Sequence, residues 1–332
     1  MNHVDFKVFV SCITYNQEQY IKDALDGFCM QKTNFPFVCG IIDDASTDGE
    51  QSVISKYLKD YFDLDDNEVV RHEVTDDYVL TFAQNRINKN CYFAVVLLKY
   101  NHYKIKKSKL PYVAEWRDSS KFTAICEGDD YWTHPLKLQM QVDFMDNKPD
   151  YGLVHTKSKE YNESNHEYAI DLKGERNDTF DSFIMANTIV TATSFFLTQL
   201  DIDYNNDQPK EHIWPSMDLA LWMYIYLHSK VGFIDEVTAV YRVLDESASH
   251  SKDIYKNIQF YNTSASICRH YIEKSGQNHL LKKWKKKYLR LITRLYYTSR
   301  KRVEWKSISP YICFDLRSCI YIIASFIMPK HG

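Results

Sequence analysis

The sequence predicts an α/β fold on a parallel sheet, and three observations carry that expectation. Short, continuous apolar runs recur near the N-terminus, as strands buried on both faces produce. Segments of helical period separate them. Each run ends in turn chemistry, and two of those turns are acidic. In open α/β sheets, ligands bind beyond the carboxyl ends of the strands.

Lys7 to Thr14 (KVFVSCIT) reads as the first buried strand. Asn16 through Gln19 reads as a helix start, with Asn16 capping and Gln19 in the reciprocal position of a capping box. Ile21, Leu25 and Phe28 follow at helical spacing. Phe37 to Ile42 (FVCGII) is the second strand, closed by DDASTDG, and Val53, Ile54, Tyr57 and Leu58 mark the next helix. Glu68 to Val74 is the expected third strand. Tyr100 to Lys121 is polar and Lys-rich and reads as a loop or insertion. Phe122 to Cys126 leads into EGDDYW. Pro135 suits a first helical position, with Leu138, Val142 and Met145 behind it. Residues 157–178 read as a polar, mobile excursion. Ile189 to Leu197 is β-like, Asp218 opens an apolar helix, and Val231 to Val243 returns as a strand. From Asp253 onward the pattern is helical.

Hydrophobic residues at 45% and charged residues at 26% fit an ordinary globular protein, and a net charge of −3 gives no argument for a nucleic-acid partner. The eight Cys form no C-x-x-C pair, and several sit in apolar runs. Reduced thiols and a cytoplasmic location are expected. No signal peptide is expected, because Asp5 and Lys7 interrupt any apolar run. Lysines and arginines crowd 282–302, interleaved with Trp284, Leu289, Ile292 and Tyr296. Tyr311 to Met328 is strongly apolar but interrupted by Asp315 and Arg317, and short for a membrane span. Two expectations stand side by side for 281–328. One is peripheral attachment to an anionic membrane; the other is a helical hairpin packed on the domain.

Three features at strand ends carry chemistry: Thr14-Tyr15-Asn16, Asp43-Asp44 with the turn behind them, and Glu127-Gly128-Asp129-Asp130. Neither a dinucleotide fingerprint nor a P-loop is present. Carboxylates have the wrong sign to hold phosphate directly. They can hold Mg²⁺ or Mn²⁺, which prefer oxygen ligands and bridge to diphosphate. Taken singly, each acidic turn is also explained as a helix cap or a solvated turn.

Together, in this order, the features resemble glycosyltransferase family 2, the inverting nucleotide-sugar transferases of the GT-A fold. The matching stretches are VSCITYNQEQYIKDALDGFCMQ, IIDDASTDG, ICEGDDYWTHPLKLQMQVDFM and MDLALWMYIYLHSKVGFIDEVTAVYRV, with a gap around 100–121. EGDDYW with the downstream YRV looks like the bacterial subgroup that builds surface polysaccharides. The resemblance implies a Rossmann-like mixed, mainly parallel sheet flanked by helices. It implies a GT-A domain over 1–250, with a nucleotide-binding part at 1–130 and an acceptor part at 131–250. A helical, basic and apolar extension follows at 251–332.

The resemblance also implies roles. Thr14, Tyr15 and Asn16 would line the nucleotide pocket, with Tyr15 stacked on the base. Asp43 and Asp44 would serve the nucleotide, Asp44 bonding the base, with UDP expected. Asp129 would face ribose or metal, Asp130 would be the leading metal ligand, and Glu127 would stand in the first acidic place. Mn²⁺ or Mg²⁺ would neutralise the leaving diphosphate. Asp218 would be the general base that takes the acceptor hydroxyl's proton; its plainer reading is a helix N-cap. Arg242, Trp132 and Trp214 would contact diphosphate or acceptor, while Trp222 reads as core and Asp235 and Glu236 as turn residues. One departure stands out: relatives continue YR with V-H, where this chain has Leu244, and His250 is the candidate to replace that ligand. The expected partners are a nucleotide-sugar donor, a saccharide or lipid-linked acceptor and a second copy of the chain. Two rival readings are a metal-dependent phosphoesterase, with His134, His155 and His250 as candidate ligands, and a binding-only relative that has lost turnover.

Overall fold

Both faces of the first two apolar runs are buried, which is why neither run alternates. The computed structural model describes residues 4–65, 70–207, 217–244, 251 and 253–327. The strands are β1 (Val8–Thr14), β2 (Phe37–Asp43), β3 (Phe62–Asp63), β4 (Arg71–Val74), β5 (Tyr78–Asn85) and β6 (Cys91–Leu98). They continue with β7 (Phe122–Ile125), β8 (Tyr131–Trp132), β9 (Tyr151–Asn162), β10 (Glu167–Tyr168), β11 (Phe195–Leu197) and β12 (Lys230–Val243). All join one sheet in the order β3-β5-β6-β2-β1-β7-β11-β9-β12-β8, with β4 paired to β5 and β10 to β9. The central strands β6, β2, β1 and β7 are parallel. The flanks are antiparallel where β5 meets β6 and β11 meets β7.

The chain divides into two compact units. The first comprises residues 1–176, 188–207 and 229–242; the second comprises 177–187, 208–228 and 243–332. In the first unit, α1 (Ile21–Cys29), α2 (Glu50–Tyr61), α3 (Ala114–Ser119) and α4 (Lys137–Asp146) accompany the sheet. Val8, Val10 and Cys12 face a core shared with Ile21, Leu25 and Phe28 of α1 and Ile54 and Leu58 of α2. Phe9, on the alternate face, joins Val38, Ile42, Val96 and Trp116. Each large apolar side chain buried this way contributes roughly 1.5–3 kcal/mol.

Several sequence expectations are corrected. The parallel neighbour of β2 is β6, in CYFAVVLL, whereas β4 at Arg71–Val74 is an antiparallel edge strand. Asn16 does not cap α1. The helix begins after Tyr20 without a side-chain cap, and Asn16 instead adopts φ 56° in the loop. Pro135 precedes α4 rather than opening it, since Leu136 is the N-cap. The polar stretch from 157 is partly ordered, because β9 runs to Asn162 and turns back into β10. Its polarity reflects the exposure of that hairpin's outer end.

The second unit contains α5 (Phe180–Met185), α7 (Met217–His228), α8 (Ile254–Lys274), α9 (Leu280–Thr298), α10 (Trp305–Ile308) and α11 (Leu316–Ile327). The remaining helix, α6 (Thr198–Asp207), belongs to the first unit. α9 buries Trp284, Tyr288, Leu289, Ile292 and Tyr296, and the Trp284 indole donates to the Ala265 carbonyl of α8 at 2.9 Å. The basic segment is therefore a packed amphipathic helix with most of its cations outward, while Lys287 is half-buried and donates to the Ile184 carbonyl at 2.6 Å. Among the described residues no helix is long and apolar enough to cross a membrane.

One core residue is chemically unusual. Lys137 is fully buried, its ammonium 4.3 Å from the Trp132 ring centroid and donating to Gln141 Oε1 at 2.7 Å. Burial lowers its pKa from 10.5 to about 7. Between those values the unfolded chain binds more protons at this site than the folded one. The contribution of Lys137 to stability therefore rises with pH across that window. Lys137→Met is expected to be more stable than the parent at neutral pH, with the gap closing as pH rises towards the lysine's ordinary value. Urea unfolding across that range checks this, and a gap that widens would refute it.

Candidate functional site

The carboxyl ends of β1, β2 and β7 meet at one place because the strands are adjacent and in register. Thr14 pairs with Asp43, Asp44 N–H donates to the Thr14 carbonyl at 3.0 Å, and Cys126 N–H donates to the Ser11 carbonyl at 3.0 Å. The acidic loop 127–130 thus opens beside the loop that follows Thr14. Gly128 permits this approach. A Cβ there would stand 2.2 Å from Thr14 Oγ1 and 2.5 Å from Gln17 Oε1.

The loops brace one another. Asn16 N–H donates to Ser46 Oγ at 2.8 Å, and Asn16 Oδ1 accepts from Thr47 N–H at 2.8 Å. The left-handed backbone this requires is one that Asn tolerates better than most residues. Beneath them sits Glu50, a residue the sequence reading passed over. Its carboxyl contacts Thr14 Oγ1 and accepts from Gln17 N–H at 2.9 Å and Ser46 Oγ at 2.8 Å. Burial pushes the Glu50 pKa up against the lowering effect of those bonds. Tyr15, at 37% exposure, presents its ring outward from this braced frame, as a stacking role requires.

The two aspartates of the second motif differ from their expected roles. Asp44 is 2% exposed and both its oxygens accept protein donors. Oδ1 takes His102 N–H at 2.6 Å and Oδ2 takes Tyr103 N–H at 3.1 Å, with Lys109 Nζ 3.1 Å away. Asn101 Nδ2 adds a bond to the Asp44 carbonyl at 2.9 Å. Asp44 therefore organises residues 101–109 rather than offering an open carboxylate to a base. The segment read as an insertion is part of the site. Asp43 Oδ1 accepts from Ser46 N–H at 3.0 Å, while its buried Oδ2 has no hydrogen-bond partner.

The acidic loop is ordered by β12. Val240 pairs with Tyr131, and two residues on Arg242 N–H donates to Asp130 Oδ1 at 2.8 Å. Asp130 is 3% exposed, Asp129 is half-buried, and Glu127 is exposed. Burial raises the pKa of both aspartates, and the charge of Asp129 raises that of Asp130 further. This reverses their expected ranking: Asp130 is a buried anchor, and Asp129 is the carboxylate nearer solvent. Two carboxyls raised by burial, the deeper one also by its neighbour's charge, suit a divalent ion, which would relieve both effects. Among the described residues no group of three or more His, Cys, Asp or Glu could hold a metal alone. A resident ion would thus draw on Asp129, with Asp130 behind it, and take further oxygens from ligand and water, as Mg²⁺ commonly does.

Two other assignments change. The Arg242 guanidinium lies between the rings of Tyr20 and Tyr131, at 5.0 and 4.5 Å from their centroids. It pairs with Asp23, and its Nη1 donates to the Asp129 carbonyl at 2.8 Å. Glu163 Oε1 is 2.8 Å from Nε, close enough to pair but outside hydrogen-bond alignment. Arg242 is a strut, already neutralised by protein carboxylates, not an open diphosphate ligand. Trp132 is 1% exposed, packs edge-on to Phe28 and donates to the Ala192 carbonyl at 2.8 Å, so it is core. Asp218 lies in the first turn of α7, in the second unit, where its Oδ1 accepts from Leu219 N–H at 2.7 Å. Trp214 and His250 lie outside the described residues.

The close approach at Gly128 is testable. Gly128→Ala forces Thr14 and the acidic loop apart and is expected to destabilise the protein by about 1–3 kcal/mol. Thermal unfolding measures this, and an unchanged midpoint would show that the loops part freely.

Residues 10–78 match the family model for glycosyl transferase family 2. Uncharacterized proteins of Mycobacterium tuberculosis and Mycobacterium bovis are 28% identical over 235 residues, covering 69% of this chain. The chain matches 57% of the length of these curated relatives. Among solved structures, residues 1–349 of Staphylococcus aureus TarS in complex with UDP-GlcNAc align over 92% of this chain and 89% of that one. The TM-score is 0.52 at 16% identity. The mannosyltransferase PcManGT from Pyrobaculum calidifontis, in complex with GDP-Man and Mn²⁺, aligns over 97% and 86%, with a TM-score of 0.52 at 12% identity. The family-model match spans β1 to the start of β5, and the sheet with its flanking helices has a GT-A-like fold.

Proposed function

We propose that the chain transfers a sugar, with inversion, from a nucleoside diphosphate sugar to a saccharide or lipid-linked acceptor in surface-polysaccharide synthesis. The observation that carries this reading is the half-buried Asp129, raised in pKa by burial, in the acidic loop whose Gly128 closes on Thr14. A nucleotide stacked on Tyr15 would direct its diphosphate along the ends of β1 and β7 towards that carboxylate. The fold-mates bound to UDP-GlcNAc and to GDP-Man support a nucleotide-sugar donor, and we take UDP as the donor nucleotide.

The chemistry is a single displacement. The acceptor oxygen forms its bond to the anomeric carbon as the bond to the diphosphate breaks, through an oxocarbenium-like transition state. The acceptor's proton passes to a carboxylate, for which Asp218 is our choice. Its support is its family motif position before LALWMYIYL. A divalent ion held by Asp129, with Asp130 behind it, would offset the charge that develops on the leaving diphosphate. No observation favours the phosphoesterase reading. His134 Nδ1 accepts from Leu136 N–H at 3.1 Å, and His155 is fully buried, its pKa lowered to about 4 by burial.

Two variants separate binding from turnover. Asp129→Asn is expected to weaken Mn²⁺-dependent UDP binding at least tenfold in calorimetry, while leaving the thermal midpoint of the ligand-free protein close to the parent's. Asp218→Asn is expected to retain UDP binding and lose transfer by roughly 10²–10⁴-fold, the usual worth of a general base. Unchanged UDP binding in the first variant would sink the metal assignment. Undiminished transfer in the second would remove Asp218 as the base.

A further inference from the structure

The apolar C-terminal segment is packed the opposite way from an ordinary surface helix. Its fully buried residues are the polar Ser318 and Ser325, with Tyr321, Ile322 and Ala324 partly buried beside them, and Val303 N–H donates to Ser325 Oγ at 3.4 Å. Most of its large apolar residues face out. Leu316, Ile320, Ile323 and Ile327 recur along one side of α11, with Phe326 beside them, each 55–77% exposed. Phe314, just before the helix, is 89% exposed and extends the same stretch of sequence. A soluble surface rarely leaves so many large apolar side chains grouped without a partner.

The charges around this face are mainly basic, with Glu304 an exposed acid among them. Asp315, the acid that interrupts the run in the sequence, is turned inward. Its carboxylate accepts from Arg290 at 2.8 and 2.5 Å and from Ser318 N–H at 3.1 Å, with Lys286 Nζ 3.4 Å away. Glu304 accepts from Tyr255 O–H at 3.0 Å. The cations stay out: Arg300, Lys301, Arg302, Lys306 and Arg317 are exposed, and the Arg302 guanidinium stands 5.9 Å from the Phe326 ring. A second copy laid on this face would bring these cations together at short range, which opposes that occupant. An interfacial helix with an apolar face and a basic rim suits a lipid surface carrying negative headgroups.

We propose that the outward face of α11, with the cations of 300–306 and Arg317, docks the protein on an anionic bilayer surface. The apolar side chains enter the headgroup boundary and the cations meet lipid phosphates. The helix lies in the plane of the interface and does not span it. Catalysis by the first unit is not required for this contact, so it stands or falls separately from the transfer reaction.

Vesicle flotation of the full chain tests the contact. The chain is expected to float with phosphatidylcholine–phosphatidylglycerol vesicles, weakly with pure phosphatidylcholine, and less at raised salt. Joint Ile320→Ser, Ile323→Ser and Phe326→Ser substitution is expected to reduce the bound fraction roughly tenfold or more. Joint Lys301→Glu and Arg302→Glu substitution acts on the same binding through charge alone and is expected to abolish the preference for anionic vesicles. All these side chains are exposed, so the thermal midpoint should match the parent's. Absence of flotation by the parent, or full flotation by the triple variant, overturns the proposal. So does a concentration-dependent dimer in sedimentation equilibrium that the triple variant abolishes, because that assigns the face to a second copy.

Discussion

The hydrogen bond from Arg242 N–H to the buried Asp130 carboxylate is the constraint on which the site's geometry depends. A buried carboxyl left without donors costs several kcal/mol, whereas a charge-assisted bond of this kind contributes about 1.5–3 kcal/mol. The bond therefore fixes where the acidic loop ends and where β12 ends at the same time. With Asp130 held inside, Asp129 is left at the surface of the cluster, and Arg242 is drawn over Tyr20 and Tyr131. The two aspartates of the loop are thereby divided between an inner anchor and an outer carboxyl.

The same division explains how much could be read from the sequence. β1 and β2 were legible because strands covered on both faces must be continuously apolar, and each run ends in turn chemistry. The acidic loop was legible as a cluster. The ranking within it was not, because burial of Asp130 depends on a strand 112 positions away. Arg242 shows the limit more sharply, since its partner Asp23 lies 219 positions off. The sequence suggested an open cation where the structure has a neutralised one. Asp44 misled for the same reason: nothing local signals that His102, Tyr103 and Lys109 return to satisfy it.

Other misses were failures of pattern. β6 is as apolar as β2, yet it follows an antiparallel edge that disguised the order of strands. The β9–β10 hairpin reads as a polar excursion because its outer end faces water. The sequence of the tail carries two open expectations, and its two long helices present different sides to solvent. α9 is packed with most of its cations outward, whereas α11 turns its serines inward and most of its isoleucines outward. Hydropathy averaged along a helix cannot reveal which side faces in.

The span between Asp130 and Arg242 has a consequence for the order of synthesis. Chains emerge from the ribosome N-terminus first, and domains assemble as their parts become available. The acidic loop is made long before its anchor. Until β12 has been translated, Asp130 has no Arg242 N–H to accept and no reason to bury. A nascent chain therefore carries its acidic loop as a loose, charged segment until the last strand of the sheet has been added.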